Sequence, residues 1–173
     1  NTGTVSSTYS KYGNYSLPPG SFVTHVSLPS GFYNSDFTVC FWYRHTSHGG
    51  NAFLFRDSAI SLYIASDGGY LAVAGFKNPT QNLINNRWHH ISYVVTKTDS
   101  KLYLDANLLS SNNGLTANYS NQPTQPITFC IGGVSTATFL GNAMNGYIDD
   151  FRIYNGALDA SQVNTLVYPP PWI

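Results

Sequence analysis

Apolar and polar positions alternate with a period of two through most of this chain, a pattern that predicts strands rather than helices. Phe37, Val39, Phe41 and Tyr43 share one face of a strand, and Thr38, Cys40, Trp42 and Arg44 the other. His89, Ile91, Tyr93 and Val95 form a second inward set. Ser61-Leu-Tyr-Ile-Ala-Ser66 and Tyr70-Leu-Ala-Val-Ala-Gly-Phe76 flank Asp67-Gly68-Gly69, whose glycines supply the positive φ of a tight hairpin. Lys101-Leu-Tyr-Leu-Asp105 turns through Ala106-Asn107 into Leu108-Leu109, and Pro126-Ile-Thr-Phe-Cys-Ile-Gly-Gly133 is a further strand closed by glycines. Short strands punctuated by turns predict an all-β fold, a two-sheet antiparallel sandwich.

One short C-terminal helix is predicted. Asp159 caps Ala160-Ser-Gln-Val-Asn-Thr-Leu166, and Gln162 completes a capping box. Tyr168-Pro-Pro-Pro-Trp-Ile173 then forces extended polyproline geometry. The organisation read from these signals is a single domain over residues 1–168 and an extended tail over 169–173.

Composition narrows the function classes. Charged residues are 9% of the chain, against roughly 25% in an average soluble domain. Eight Lys and Arg balance eight acids, so no field draws the protein to nucleic acid or anionic lipid. No window reaches the ~18 apolar residues of a membrane helix, so no membrane insertion is expected. The chain starts at Asn1 rather than Met and is read as a processed product or excised domain.

Several segments carry a family resemblance. Lys11-Tyr-Gly-Asn-Tyr-Ser-Leu17 and Phe22-Val-Thr-His-Val-Ser-Leu28 are read as opening strands, followed by Phe37–Trp42 and Trp88-His89-His90-Ile91. Leu102-Tyr103-Leu104-Asp105 and Gly146-Tyr-Ile-Asp-Asp-Phe-Arg-Ile-Tyr154 complete the set. Their order resembles laminin-G-like and pentraxin-like domains of the concanavalin A-like lectin/glucanase superfamily. The resemblance implies a jelly-roll sandwich; it does not fix the function.

Departures from the family pattern matter equally. Asp105-Ala106-Asn107 replaces the usual Asp-Gly turn, so Asn107 is expected to take the left-handed position. Where pentraxins carry a calcium-binding acidic run, this chain reads Gly133-Val-Ser-Thr-Ala-Thr-Phe139 with no carboxylate. Pentraxins pair a cysteine matching Cys40 with one on the strand matching Ile91-Ser92, and Ser92 takes that place here.

Catalysis is not expected. The superfamily's glucanases use two glutamates, and this chain has none. Asp149 and Asp150 are the only close acid pair, and strand neighbours point to opposite faces. Their readings are a structural calcium site at Asp149, or an ion pair with Arg152 on the face of Asp150; the ion pair is favoured. No other cofactor is implied.

Cys40 and Cys130 each lie on the face opposite an apolar set. The expectation is one intrachain disulfide, with an interchain link and two buried thiols as alternatives. Sequons place N-glycosylation at Asn14 and Asn118, the latter favoured. Sugar recognition would use flat rings and hydrogen-bonding loops, for which His45, His48, Asn51 and Trp88 are the candidates. Trp172, at the tip of the stiff tail, is a candidate assembly contact. The function expected is a non-catalytic recognition module, extracellular, secreted or surface-displayed, binding a glycan or protein partner. The alternative is a structural subunit of a homo-oligomer, filament or particle surface.

Overall fold

The computed structural model describes residues 6–20, 23–29, 31–46, 52–56, 61–64, 71–73, 76–77, 83–112, 127–132 and 144–169. Eleven strands and one α-helix are laid out along them. One sheet has six strands in the order β1 (Val23–Leu28), β10 (Ile127–Ile131), β3 (Ala52–Arg56), β4 (Ser61–Ile64), β5 (Leu71–Val73) and β6 (Phe76–Lys77). The other has five: β11 (Gly146–Tyr154), β2 (Phe37–His45), β7 (Trp88–Val95), β8 (Ser100–Leu104) and β9 (Asn107–Asn112). Every pairing between them is antiparallel. β3 has no counterpart in the sequence reading.

The alternation predicted for β2 and β7 is realised. Phe37, Val39, Phe41 and Tyr43 face Ile91, Tyr93 and Val95 in one core with Leu54, Leu62, Ile64 and Leu71 from the other sheet. These side chains are nearly or fully removed from water, and each contributes about 1.5–3 kcal/mol by burial. The outer face of the five-stranded sheet is covered too. Helix α1 (Ala160–Val167) lays Val163 on Val94 and Tyr103, with Ala157 and Leu158 beside it. Its capping box forms as expected, the Asp159 carboxylate accepting from the Gln162 backbone N–H at 2.8 Å. An N-terminal segment covers Trp42 on the same face.

Four sequence expectations are corrected. Residues 11–17 do not form a strand: only single bridges tie Ser16 to Ser6 and Leu17 to Ile148, because Gly13 turns the chain at φ 65. In the β8–β9 hairpin Asp105 (φ 49) and Ala106 (φ 65) take the left-handed positions, not Asn107, which already pairs with Leu104. Two consecutive positive φ values match the right-handed twist of the flanking strands. A bulge interrupts β11: Asp149 pairs with Trp42 but Arg152 with Cys40, leaving one extra residue, and Asp150 sits at φ 50.

The fourth correction is the Cys40–Cys130 disulfide. Both residues are buried thiols. Ile131 packs against the core, so Cys130 points out of the six-stranded sheet, while Cys40 points out of the five-stranded one. The common parity placed both on outer faces, but of opposite layers, with the core between them. Burial pushes the Cys40 thiol up to about 12, with Asp150 adding to the rise and Arg152 opposing it.

Candidate functional site

The site is built by residues 6–17, a strap folded onto the outer face of β11 and β2. One carboxylate fixes its middle. Asp149 Oδ2 accepts the backbone N–H groups of Lys11 at 2.6 Å and Tyr12 at 2.9 Å, while its Oδ1 accepts the Asp150 N–H at 2.7 Å. The bulge makes this possible by turning the Asp150 N–H back toward that carboxylate. At its far end the strap is closed by the Ser6–Ser16 and Leu17–Ile148 backbone pairs and by the Ser16 hydroxyl donating to the Tyr9 carbonyl.

This fastening leaves three tyrosine rings in water. Tyr9, Tyr12 and Tyr15 are 41%, 43% and 59% exposed, making three of the five exposed large hydrophobic residues among those described. The first two have rigid seats on successive cross-strand pairs. Tyr9 meets the Tyr147 ring edge-on at 5.1 Å, and the Arg44 guanidinium carbon lies 4.0 Å over its face. Arg44 pairs with Tyr147 across the strands and donates to the Asn86 side chain at 3.0 Å. Tyr12 meets Trp42 edge-on at 6.0 Å, with the Lys11 ammonium 4.2 Å over the indole. Both cations are held by ring quadrupoles.

Beside Tyr15 the edge of the sandwich opens into a pocket of about 230 Å³, floored by Leu17, Ile131, Ile148 and Phe151 and rimmed by Asp149 and Asp150. The Arg152 guanidinium donates to Asp150 at 2.7 Å and leans on the Tyr154 hydroxyl at 3.4 Å, so the favoured ion pair is present. That contact raises the Arg152 pKa further above its already high ordinary value.

Beneath the strap His90 is buried, its ring 5.2 Å from Trp42 and its Nδ1 3.2 Å from the Ser92 hydroxyl. Desolvation pulls it down to about 4, with Arg152 acting the same way and Asp105 and Asp150 opposing. Asp105 ties the hairpin to β7, accepting the His90 backbone N–H at 2.8 Å and lying 2.7 Å from His89 Nδ1. Burial alone would raise its carboxyl, but these partners hold it below the ordinary carboxylate range.

The residues nominated from sequence are distributed differently. His45 is not a loop ligand: it ends β2 on the inward face, buried, with Nδ1 2.6 Å from the Tyr43 hydroxyl. Trp88 opens β7, half-buried and paired with Arg44. Asp149 accepts the strap amides on Oδ2 and the Asp150 amide on Oδ1. Among the described residues no three His, Cys, Asp or Glu side chains converge. Asn14 is exposed beside Gly13, and its sequon serine, Ser16, is buried. His48, Asn51, Asn118 and Trp172 lie outside the described residues. Sequence reasoning missed Tyr9, Tyr12 and Tyr15 as a surface. Their spacing of three was the available signal, because it cannot keep one face of a period-two strand.

Comparison with known proteins fixes the family. A laminin-G-like sequence profile, described as the concanavalin A-like lectin/glucanases superfamily, matches residues 19–164. The chain belongs to that superfamily. No curated protein matches the sequence. Among solved structures it is similar to domain 4 of AbnA, a GH43 extracellular arabinanase from Geobacillus stearothermophilus, in complex with arabinotriose. That match has 21% identity and a TM-score of 0.67 over 96% of this chain and 82% of that one. It is also similar to the heptameric SAP-like pentraxin of Limulus polyphemus, with 18% identity and a TM-score of 0.65 over 90% and 78%. The binding domain of Paraclostridial Mosquitocidal Protein 1 matches with 19% identity and a TM-score of 0.63 over 96% of this chain; the present chain spans less than half of that one, 45%. Identities this low show the fold. No helix among the described residues is long and apolar enough to cross a membrane.

Proposed function

We propose that this chain is a non-catalytic carbohydrate-recognition module, extracellular or surface-displayed, that holds its ligand on the tyrosines of the strap. One observation carries the reading: Tyr9, Tyr12 and Tyr15 are exposed together on a segment whose middle is fastened by the Asp149 carboxylate. Single exposed rings are ordinary, but several gathered on one segment form the kind of patch that marks a binding surface. Flat, amphipathic rings seat sugar faces, and the strap offers Asn14 and backbone groups for hydroxyls.

The sparse charge of the chain favours a ligand bound by stacking and neutral hydrogen bonds. Support also comes from a fold relative whose described complex is with arabinotriose. Catalysis has no part in this reading, since Asp149 is spent on the strap and Asp150 on Arg152. Calcium is not required either.

The test is a glycan array probed with the protein and with the Tyr9→Ala/Tyr12→Ala/Tyr15→Ala variant. The wild-type chain is expected to bind a restricted set of glycans and the variant to lose them while keeping its melting temperature to within a few degrees. Wild-type binding that survives the triple substitution would refute the placement, and an empty array would refute the function.

A further inference from the structure

We infer that the ligand is an internal stretch of a linear, uncharged polysaccharide rather than a chain end. This rests on the carbohydrate reading and deepens it. The seats of Tyr9 and Tyr12 are arranged in series. Tyr9 sits over the Tyr147–Arg44 pair and Tyr12 over the Asp149–Trp42 pair, two residues further along both strands. That step is about 7 Å along the sheet. Tyr15 continues the surface to the edge pocket beyond β11. Rings in series contact successive units of a chain, and each engages its own sugar.

Recognition of a terminal sugar has different requirements. It needs a closed, concave site in which polar groups converge on the end hydroxyls or carboxylate. Here the rings lie on an open face, and the charged groups around them are already committed. Lys11 and Arg44 lie over rings, Asp149 holds backbone amides and Asp150 holds Arg152. Each cation and carboxylate around the rings already holds a protein partner, and the two signs are interspersed, so an uncharged backbone is the class that fits.

The experiment is affinity electrophoresis of the whole chain on soluble arabinan, xylan, mannan, mixed-linkage glucan and polygalacturonate. It is followed by calorimetry with di- to hexasaccharides of the best neutral polymer, both native and reduced at the terminal sugar. Affinity is expected to rise with length by about fivefold for each ring engaged, and to level off once all three are covered. Reduction of the end sugar and addition of salt should leave the long oligomers unaffected. Equal affinity for disaccharide and polymer, loss on terminal reduction, or preference for polygalacturonate would overturn the inference while leaving the carbohydrate reading standing. Failure to bind any polymer or array glycan would overturn both.

Discussion

Replacing Asp149 by Asn changes one atom's chemistry and leaves the side-chain shape unchanged. Oδ2 accepts two backbone N–H groups, from Lys11 and Tyr12. Asparagine keeps the Oδ1 bond to the Asp150 N–H but turns a donor toward the two strap amides. A hydrogen bond to a charged group contributes about 1.5–3 kcal/mol, and this half-exposed site belongs at the lower end, so losing the pair costs about 3 kcal/mol. Only Leu17 of the strap packs on the core, and Tyr9 and Tyr12 meet the body through half-exposed rings, so most of that loss should appear as local opening rather than global unfolding. An opening equilibrium shifted by about 3 kcal/mol makes the Lys11 and Tyr12 amides exchange roughly 100-fold faster. Two readouts follow, hydrogen exchange at those amides and acrylamide quenching of tryptophan, because Trp42 loses the cover of Tyr12 and Lys11. Glycan affinity should fall in parallel while the melting temperature moves little. Unchanged exchange at Lys11 and Tyr12 in the variant would refute the latch.

Other outcomes follow from the same geometry. Ala106→Gly should stabilise the protein: relief of a left-handed alanine is worth about 1–2 kcal/mol, offset by about 0.4–1 kcal/mol of extra unfolded-chain freedom. The melting temperature should rise about 2–3 °C, with Asn107→Gly giving no gain. His90 is held at about 4 against an unfolded value of 6.5, so its contribution is complete above pH 6.5 and is lost as pH falls toward 4. That loss is about 3 kcal/mol, and denaturant titrations across this window should show a shallower pH slope for His90→Gln. Asp105, depressed in the fold, adds its own loss at still lower pH. Native protein should react with no thiol reagent at Cys40, and intact mass should not change on reduction. Calcium or a chelator should leave melting temperature and glycan binding alike, since Asp149 is already engaged; a calcium-dependent rise would restore the metal reading.

The sandwich was legible because its core strands obey a strict period of two, and His89 to Val95 and Phe37 to Tyr43 fall on the faces that alternation assigns. The same rule shows where sequence reasoning stopped. Ile148, Phe151 and Ile153 all pack toward the core, with a spacing of three and then two. That break marks the bulge at Asp150, which a uniform strand reading passed over. His45 continues the parity of Tyr43, yet nominating it as a hydrogen-bonding loop residue put it outside the strand. Parity also placed both cysteines on outer faces correctly, but alternation within a strand carries no information on which sheet the strand joins. The strap was the least legible part. Its conformation is set by the Asp149 carboxylate more than 130 positions away in sequence, and no local propensity encodes that contact.

Whether ligand lies on the strap is decided most directly by a backbone-amide NMR titration. The probe is the hexasaccharide of the best-binding neutral polymer. The largest shifts are expected at the amides of residues 9–15 and 147–150 and at the Trp42 indole N–H, with the six-stranded sheet unmoved. Shifts confined to the six-stranded sheet or to the loop after His45, with residues 9–15 unchanged, would contradict this placement.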